Sequence, residues 1–131
     1  MTQGFTLFET AVGTCGVVWG ERGLLGVHLP PIGPSDPRAK LARRFPEAVE
    51  TAPPPSVQAA IAGIQALLRG ERLDLTEIEL DTQGVAPFNL RVYEIARAIP
   101  PGKTRTYGEI AREIGDVSVS RAVGQALGAN P

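Results

Sequence analysis

Eight of the twelve prolines fall between Pro30 and Pro55, and this clustering divides the chain before any other feature is considered. Proline fixes its own φ and lacks a backbone N–H, so neither a long helix nor a central strand passes through such a stretch. The chain must therefore build what it can before residue 30, cross an irregular segment, and build again after residue 55. At 131 residues it has the size of one ordinary domain or of two small ones sharing an interface. A 43% hydrophobic and 21% charged composition is that of a soluble globular chain rather than a disordered one. No apolar run approaches the roughly 18 residues that cross a bilayer.

The segment ahead of the prolines reads as a β-meander with strands at Phe5–Thr10, Thr14–Trp19 and Leu24–Leu29. Gly13 and the turn Gly20-Glu21-Arg22-Gly23 separate them, since glycine supplies the positive φ of tight turns. Gly16 and Gly26, inside strands, predict a bulge or a close backbone approach. A short helix follows over Pro37–Phe45, with Asp36 as its cap and Pro37 at the first helical position. Ser56 is the expected cap of a second helix. Its apolar residues Val57, Ile61, Ile64, Leu67 and Leu68 keep helical spacing, and Gly70 ends it. Leu73–Leu80 reads as another strand with Glu77 and Glu79 on its exposed face, and the polar stretch Asp81–Pro87 as a domain boundary.

Beyond the boundary the pattern is helical. Phe88, Val92, Ile95 and Ile99 line one face of a helix running from Pro87 to the stop at Pro100-Pro101-Gly102. Thr106-Tyr107-Gly108-Glu109 is a capping box that opens a helix reaching Ile114, with Gly115 ending it. Ser118 is the expected cap of a last helix, Val119 to about Leu127. The pair fits a helix-turn-helix and equally a plain two-helix packing element. The last helix carries Arg121, Ala122, Gly124, Ala126 and Gly128 and so is poor in bulk. A glycine inside a helix costs about 1 kcal/mol relative to alanine, so both glycines ask for a close neighbour, whether protein or nucleic acid. Arg121 is placed to reach a groove or to remain an ordinary surface arginine.

The net charge of −1 gives no global case for nucleic acid. Residues 1–87 hold 7 Lys+Arg against 10 Asp+Glu, whereas residues 88–131 hold 6 against 4, a mildly basic half. One cysteine excludes an intramolecular disulfide and fits a reducing compartment. With no basic leader at the N-terminus, a cytoplasmic location is expected, nucleoid-associated if the source is bacterial. Cys15, in a strand, reads as a small buried hydrophobe, and His28 as a surface or satisfied core histidine. One Cys and one His make no tetrahedral zinc site, and no phosphate-cradling loop is present, so neither metal nor cofactor is expected.

Several short signatures then stand in order: Ile99-Pro100-Pro101-Gly102-Lys103-Thr104, Thr106-Tyr107-Gly108-Glu109-Ile110-Ala111, Arg121-Ala122-Val123-Gly124-Gln125-Ala126 and Asn130-Pro131. With Phe88-Asn89 ahead of them, where Phe-Gln is usual, they resemble the methylated-DNA–protein-cysteine methyltransferases, or alkylguanine-DNA alkyltransferases. Gly13-Thr14-Cys15-Gly16 and Gly23-Leu24-Leu25-Gly26-Val27 are similar to the first domain of that family, so the resemblance covers nearly the whole chain. It implies an α+β fold with an RNase H-like N-terminal domain over 1–84. Residues 85–131 would form a helical, winged-helix-like domain whose helix-turn-helix enters the minor groove of double-stranded DNA. That groove carries a degenerate code suited to scanning for damage.

By the same resemblance Arg121 is the arginine that fills the gap left by a flipped nucleotide, and Tyr107 the tyrosine that crowds its 3′ phosphate. Ser118, Ser120, Ala122 and Gly124 line the contact, and Asn130 is the hinge asparagine. The family's reaction moves a methyl group from guanine O6 to a cysteine in a Pro-Cys-His-Arg motif, once per molecule and without a cofactor. The chain reaches Pro131 without that motif, so a truncated and inactive form of a monomeric repair protein is expected. Its rivals are a non-catalytic alkyltransferase-like lesion binder and a helix-turn-helix transcriptional regulator. Few long polar side chains on the last helix argue against the regulator.

Overall fold

A computed structural model describes residues 3–30, 35–71, 73 and 75–131. Three strands, β1 (Gln3–Thr10), β2 (Gly13–Gly20) and β3 (Gly23–His28), form the antiparallel meander read from the sequence. A short strand that the sequence did not reveal, β4 (Ala48–Glu50), pairs parallel to β1 and completes a sheet of order β3-β2-β1-β4. Three residues beside a proline-rich stretch carry too little alternation to be recognised; the neighbouring edge recruits them.

Side chains alternate across the sheet as the pleat requires. Cys15, Val17 and Trp19 of β2 face one way with Phe8 and Leu24 and pack on Val57, Ala60 and Ile64 of helix α2 (Pro55–Leu68). Phe5 and Val18 face the other way against Leu41 of helix α1 (Pro37–Arg44). The two in-strand glycines serve this second face. A Cβ on Gly16 would lie 2.5 Å from a Leu41 methyl carbon, and one on Gly26 would lie 2.8 Å from the Phe45 ring. Gly26 also adjoins the register shift opposite Val18/Trp19, so both alternatives offered for it hold.

Asp36 caps α1 as expected, its carboxylate accepting from the Arg38 N–H at 3.0 Å. Ser56 does not cap α2. The helix starts at Pro55 behind Pro54, whose side chain carries no acceptor, and the Val57 and Gln58 N–H groups donate to Pro54 O at 3.0 and 2.9 Å instead. The strand expected over Leu73–Leu80 is not formed. Position 74 lies outside the described residues; Leu75 and Ile78 turn inward to the α2 layer, with the Ile78 N–H donating to Leu75 O at 3.2 Å. Only Leu80 makes a bridge, parallel to Leu24, while Glu79 O accepts the Leu24 N–H at 2.9 Å. An apolar spacing produced by a turn had imitated a strand.

The chain folds into two units, Met1–Asp81 with Pro131, and Thr82–Asn130. The second contains α3 (Pro87–Arg97), α4 (Tyr107–Ile114), a 3-10 turn (Val117–Val119) and α5 (Ser120–Gly128). Its core is Val92 and Ile95 from α3, Ile110 and Ala111 from α4, and Val123 and Ala126 from α5. The Tyr93 hydroxyl donates to Ala126 O at 2.7 Å and ties α3 to α5.

Candidate nucleic-acid interface

The start of α4 is fixed by a reciprocal capping box. Thr106 Oγ1 accepts from the Glu109 N–H at 3.1 Å, and Glu109 Oε1 accepts from the Thr106 N–H at 2.9 Å. The hydrogen bond from the Thr106 backbone, helped by its side chain, holds the Glu109 carboxyl below the usual carboxylate range. The box places Tyr107 at the first helical position. Thr106→Ala is expected to cost about 0.5–2 kcal/mol, read as a lower urea midpoint. An unchanged midpoint would show that the box adds nothing to packing.

Gly115, at φ +130, stops α4, and its N–H and that of Asp116 both donate to Ala111 O at 3.1 Å. Ala111 is fully buried, as its small size in the helix crossing requires. Ser118 is not the cap expected of it. Asp116 takes that role for the 3-10 turn, accepting from the Ser118 N–H at 2.9 Å, and this bond holds its carboxyl below the usual range. Ser120 Oγ donates to Val117 O at 2.7 Å where α5 begins. The sequence reading missed this turn because Asp116 and Ser118 are both good caps and α5 starts only at Ser120.

The residues singled out in the sequence divide into two sets. Tyr107 and Gly124 are brought together: a Cβ on Gly124 would come within 3.1 Å of the Tyr107 ring. Of the two neighbours expected for that glycine, protein or nucleic acid, the structure supplies one within the protein. Ser120 Oγ, at the start of α5, would lie 3.8 Å from a Cβ on Gly108 in the first turn of α4. Ser118, Arg121 and Asn130 are exposed, and Ala122 is half-buried. Gln125, which sequence reasoning passed over, is exposed one turn beyond Arg121, and Gly128 continues the same stripe. The spacing of four residues from Arg121 was the available signal.

Among the described residues nothing lies within 4 Å of a Cβ built on Gly128, and its φ is not positive. Gly128→Ala is therefore expected to stabilise the free protein by about 0.5–1 kcal/mol. If the stripe lies against DNA, the same change lowers DNA affinity. Higher stability with undiminished affinity would remove Gly128 from the contact.

Other chemistry is sparse. Arg105 pairs with Glu113 and also donates to Glu109 O at 3.3 Å. The shallow hollow formed by Arg105, Glu109, Arg112 and Glu113 is balanced in charge. Cys15 is fully buried, 3.7 Å from the Thr10 hydroxyl. Among the described residues no cluster of three or more His, Cys, Asp or Glu could hold a metal, and no helix is long and apolar enough to cross a membrane.

Residues 87–131 match the family model of the 6-O-methylguanine DNA methyltransferase DNA-binding domain. A Thermus thermophilus protein named as a DNA base-flipping protein is 39% identical over 120 residues, spanning 88% of this chain and 70% of its own. The chain belongs to the methylated-DNA–protein-cysteine methyltransferase family. A methylated-DNA–protein-cysteine methyltransferase of Mycolicibacterium paratuberculosis is 42% identical over 78 residues, covering 60% of this chain and 46% of its own. The chain thus spans about half the length of the curated methyltransferases it matches. The fold is shared with solved structures. Mycobacterium tuberculosis O6-methylguanine methyltransferase superposes with TM-score 0.76 at 28% identity, over 99% of this chain and 72% of that one. Mycobacterium tuberculosis OGT in complex with DNA gives 0.72 at 30% identity, over 97% and 71%. The α+β class read from the sequence is that of this family.

Proposed function

We propose that the protein acts in DNA repair, binding duplex DNA that contains alkylated guanine and turning the damaged nucleotide out of the stack. The segment 85–131 is the DNA-binding domain in this reading, 1–84 its RNase H-like companion, and α5 lies in the minor groove. Arg121 fills the vacated position. Tyr107 crowds the 3′ phosphate, Ser118, Ser120, Ala122 and Gly124 line the contact, and Asn130 is the hinge. Extrusion costs a few kcal/mol, and less for a poorly paired lesion, so the flipping step itself selects damage.

One observation carries the reading. α5 turns Val123 and Ala126 into the core and leaves outside Arg121, Gln125 and Gly128, with the small Ala122 and Gly124 half-buried beside them. One long cation on a nearly bare helix suits a narrow groove with few features to read. The relative named for base flipping supports the same role. The methyltransferases among the relatives favour a second reading, in which a methyl group passes from guanine O6 to a protein cysteine. Cys15 is sealed in β2 and is no acceptor for it, so among these 131 residues the supported steps are recognition and flipping. A cytoplasmic monomer is the setting this reading assumes.

The test is competition binding with two duplexes that differ only in guanine or O6-methylguanine at one position, each with 2-aminopurine beside it to report unstacking. Preference for the methylated duplex with a rise in fluorescence is expected. Equal affinity and no rise would sink the reading.

A further inference from the structure

Four of the seven basic residues in the net-acidic segment 1–87 fall within α1: Arg38, Lys40, Arg43 and Arg44. They do not share a task. Leu41 faces the sheet, and Arg38 lies on one flank with both its Nε and Nη2 bonded to Glu50, at 2.7 and 2.9 Å. Lys40, Arg43 and Arg44 lie toward the opposite flank, all exposed. Among the described residues none of the three has an ion-pair partner. Spacings of three and four residues bring like charges together on a helix, where they repel. The helix dipole favours Arg43 and Arg44 in the last turn but does not account for Lys40 in the middle.

Their field is felt inside the unit. His28, the protein's one histidine, has its ring edge-on to Phe45 and its Nε2 buried without a hydrogen-bond partner among the described residues. Its pKa is held below the ordinary value by burial first, then by Arg44 and Lys40.

We propose that the flank of α1 carrying Lys40, Arg43 and Arg44 is a phosphate-contact surface for the DNA backbone, separate from the helix-turn-helix. This rests on the DNA-binding reading above. Lys40 to Arg44 is a rise of about 6 Å. A DNA strand presents a phosphate about every 3.4 Å of axis, so two phosphates fall within the reach of three cations. The other charges of segment 1–87 are predominantly acidic, which repels a polyanion elsewhere and directs it to this flank. Such a contact carries no sequence information and adds affinity to damaged and intact duplex alike.

The experiment compares the full chain with Lys40→Gln/Arg43→Gln/Arg44→Gln and with a charge-keeping Lys40→Arg/Arg43→Lys/Arg44→Lys, using an undamaged duplex over a salt series. Each phosphate contact contributes about 0.9 to the slope of log K against log salt. The Gln variant should lose about two from that slope, and the charge-keeping variant should keep it. His28, followed by NMR, gives a readout that folding alone does not mimic. Duplex should raise its titration midpoint in the wild type by neutralising Lys40 and Arg44. In the Gln variant the midpoint should already be raised and no longer respond to duplex. An unchanged slope in the Gln variant overturns the proposal, as does an equal loss in the charge-keeping one. Polyglutamate matching DNA in its effect on His28, with no slope change, would assign the flank to acidic protein instead. A wild-type chain that binds no duplex even at low salt overturns the DNA reading itself, a distinguishable result.

Discussion

Ile110→Ala is expected to remove about 2–5 kcal/mol of stability, enough to melt the helical unit at ordinary temperature. Ile110 is 2% exposed and belongs to α4, where it meets Val92 and Ile95 of α3 and Val123 of α5 in one cluster. Truncation removes three carbons from one of the two largest buried side chains there and leaves a cavity that flanking helices close only in part. The unit Thr82–Asn130 is small, and a core of that size rarely supplies more than about 3–5 kcal/mol, so the loss is comparable to the whole. Alanine's better helix propensity returns only a few tenths. Hydrogen exchange on the full chain separates the effect by unit. Amides of α3, α4 and α5 should lose protection while those of β1, β2 and β3 keep theirs, and DNA binding should fail with the helices. Protection unchanged throughout would mean that Ile110 does not hold the three helices together.

How much of this was legible in the sequence depended on whether a signal was local. Gly13 and Gly23 mark both turns of the meander, and the Thr106/Glu109 box is a contact between residues three apart, so both were readable before any packing was known. The elements misread depend on partners distant in sequence. β4 exists because the β1 edge receives it, and Leu75 and Ile78 belong to the α2 layer rather than to a strand. On α5, Arg121 was legible as the one cation of that helix. The meaning of Gly124 was not, because its neighbour Tyr107 lies seventeen positions away in the chain and meets it only through the helix crossing. The basic flank of α1 was hidden by summation. A balance of −3 over residues 1–87 averages away three cations gathered on one side of one helix.

Arg121→Ala is expected to abolish most discrimination between methylated and plain duplex, by tenfold or more, while the melting curve stays within the small shift of a surface change. The asymmetry follows from where the side chain sits. Arg121 is exposed in the first turn of α5 and makes no ion pair among the described residues, so the free protein does not depend on it. In the proposed flipped complex Arg121 fills the vacated position in the stack, and α5 offers no other cation to fill it. Tyr107 is braced against the Gly124 position and remains, so weak duplex binding survives while the flipped state loses its support. Loss should therefore appear in the 2-aminopurine signal and in the preference for methylguanine before it appears in affinity for plain DNA. Arg121→Lys, which keeps the charge and much of the length, should recover part of both. Affinity for both duplexes falling equally would recast Arg121 as a simple phosphate contact. A matching fall in melting temperature would make it a structural residue of α5.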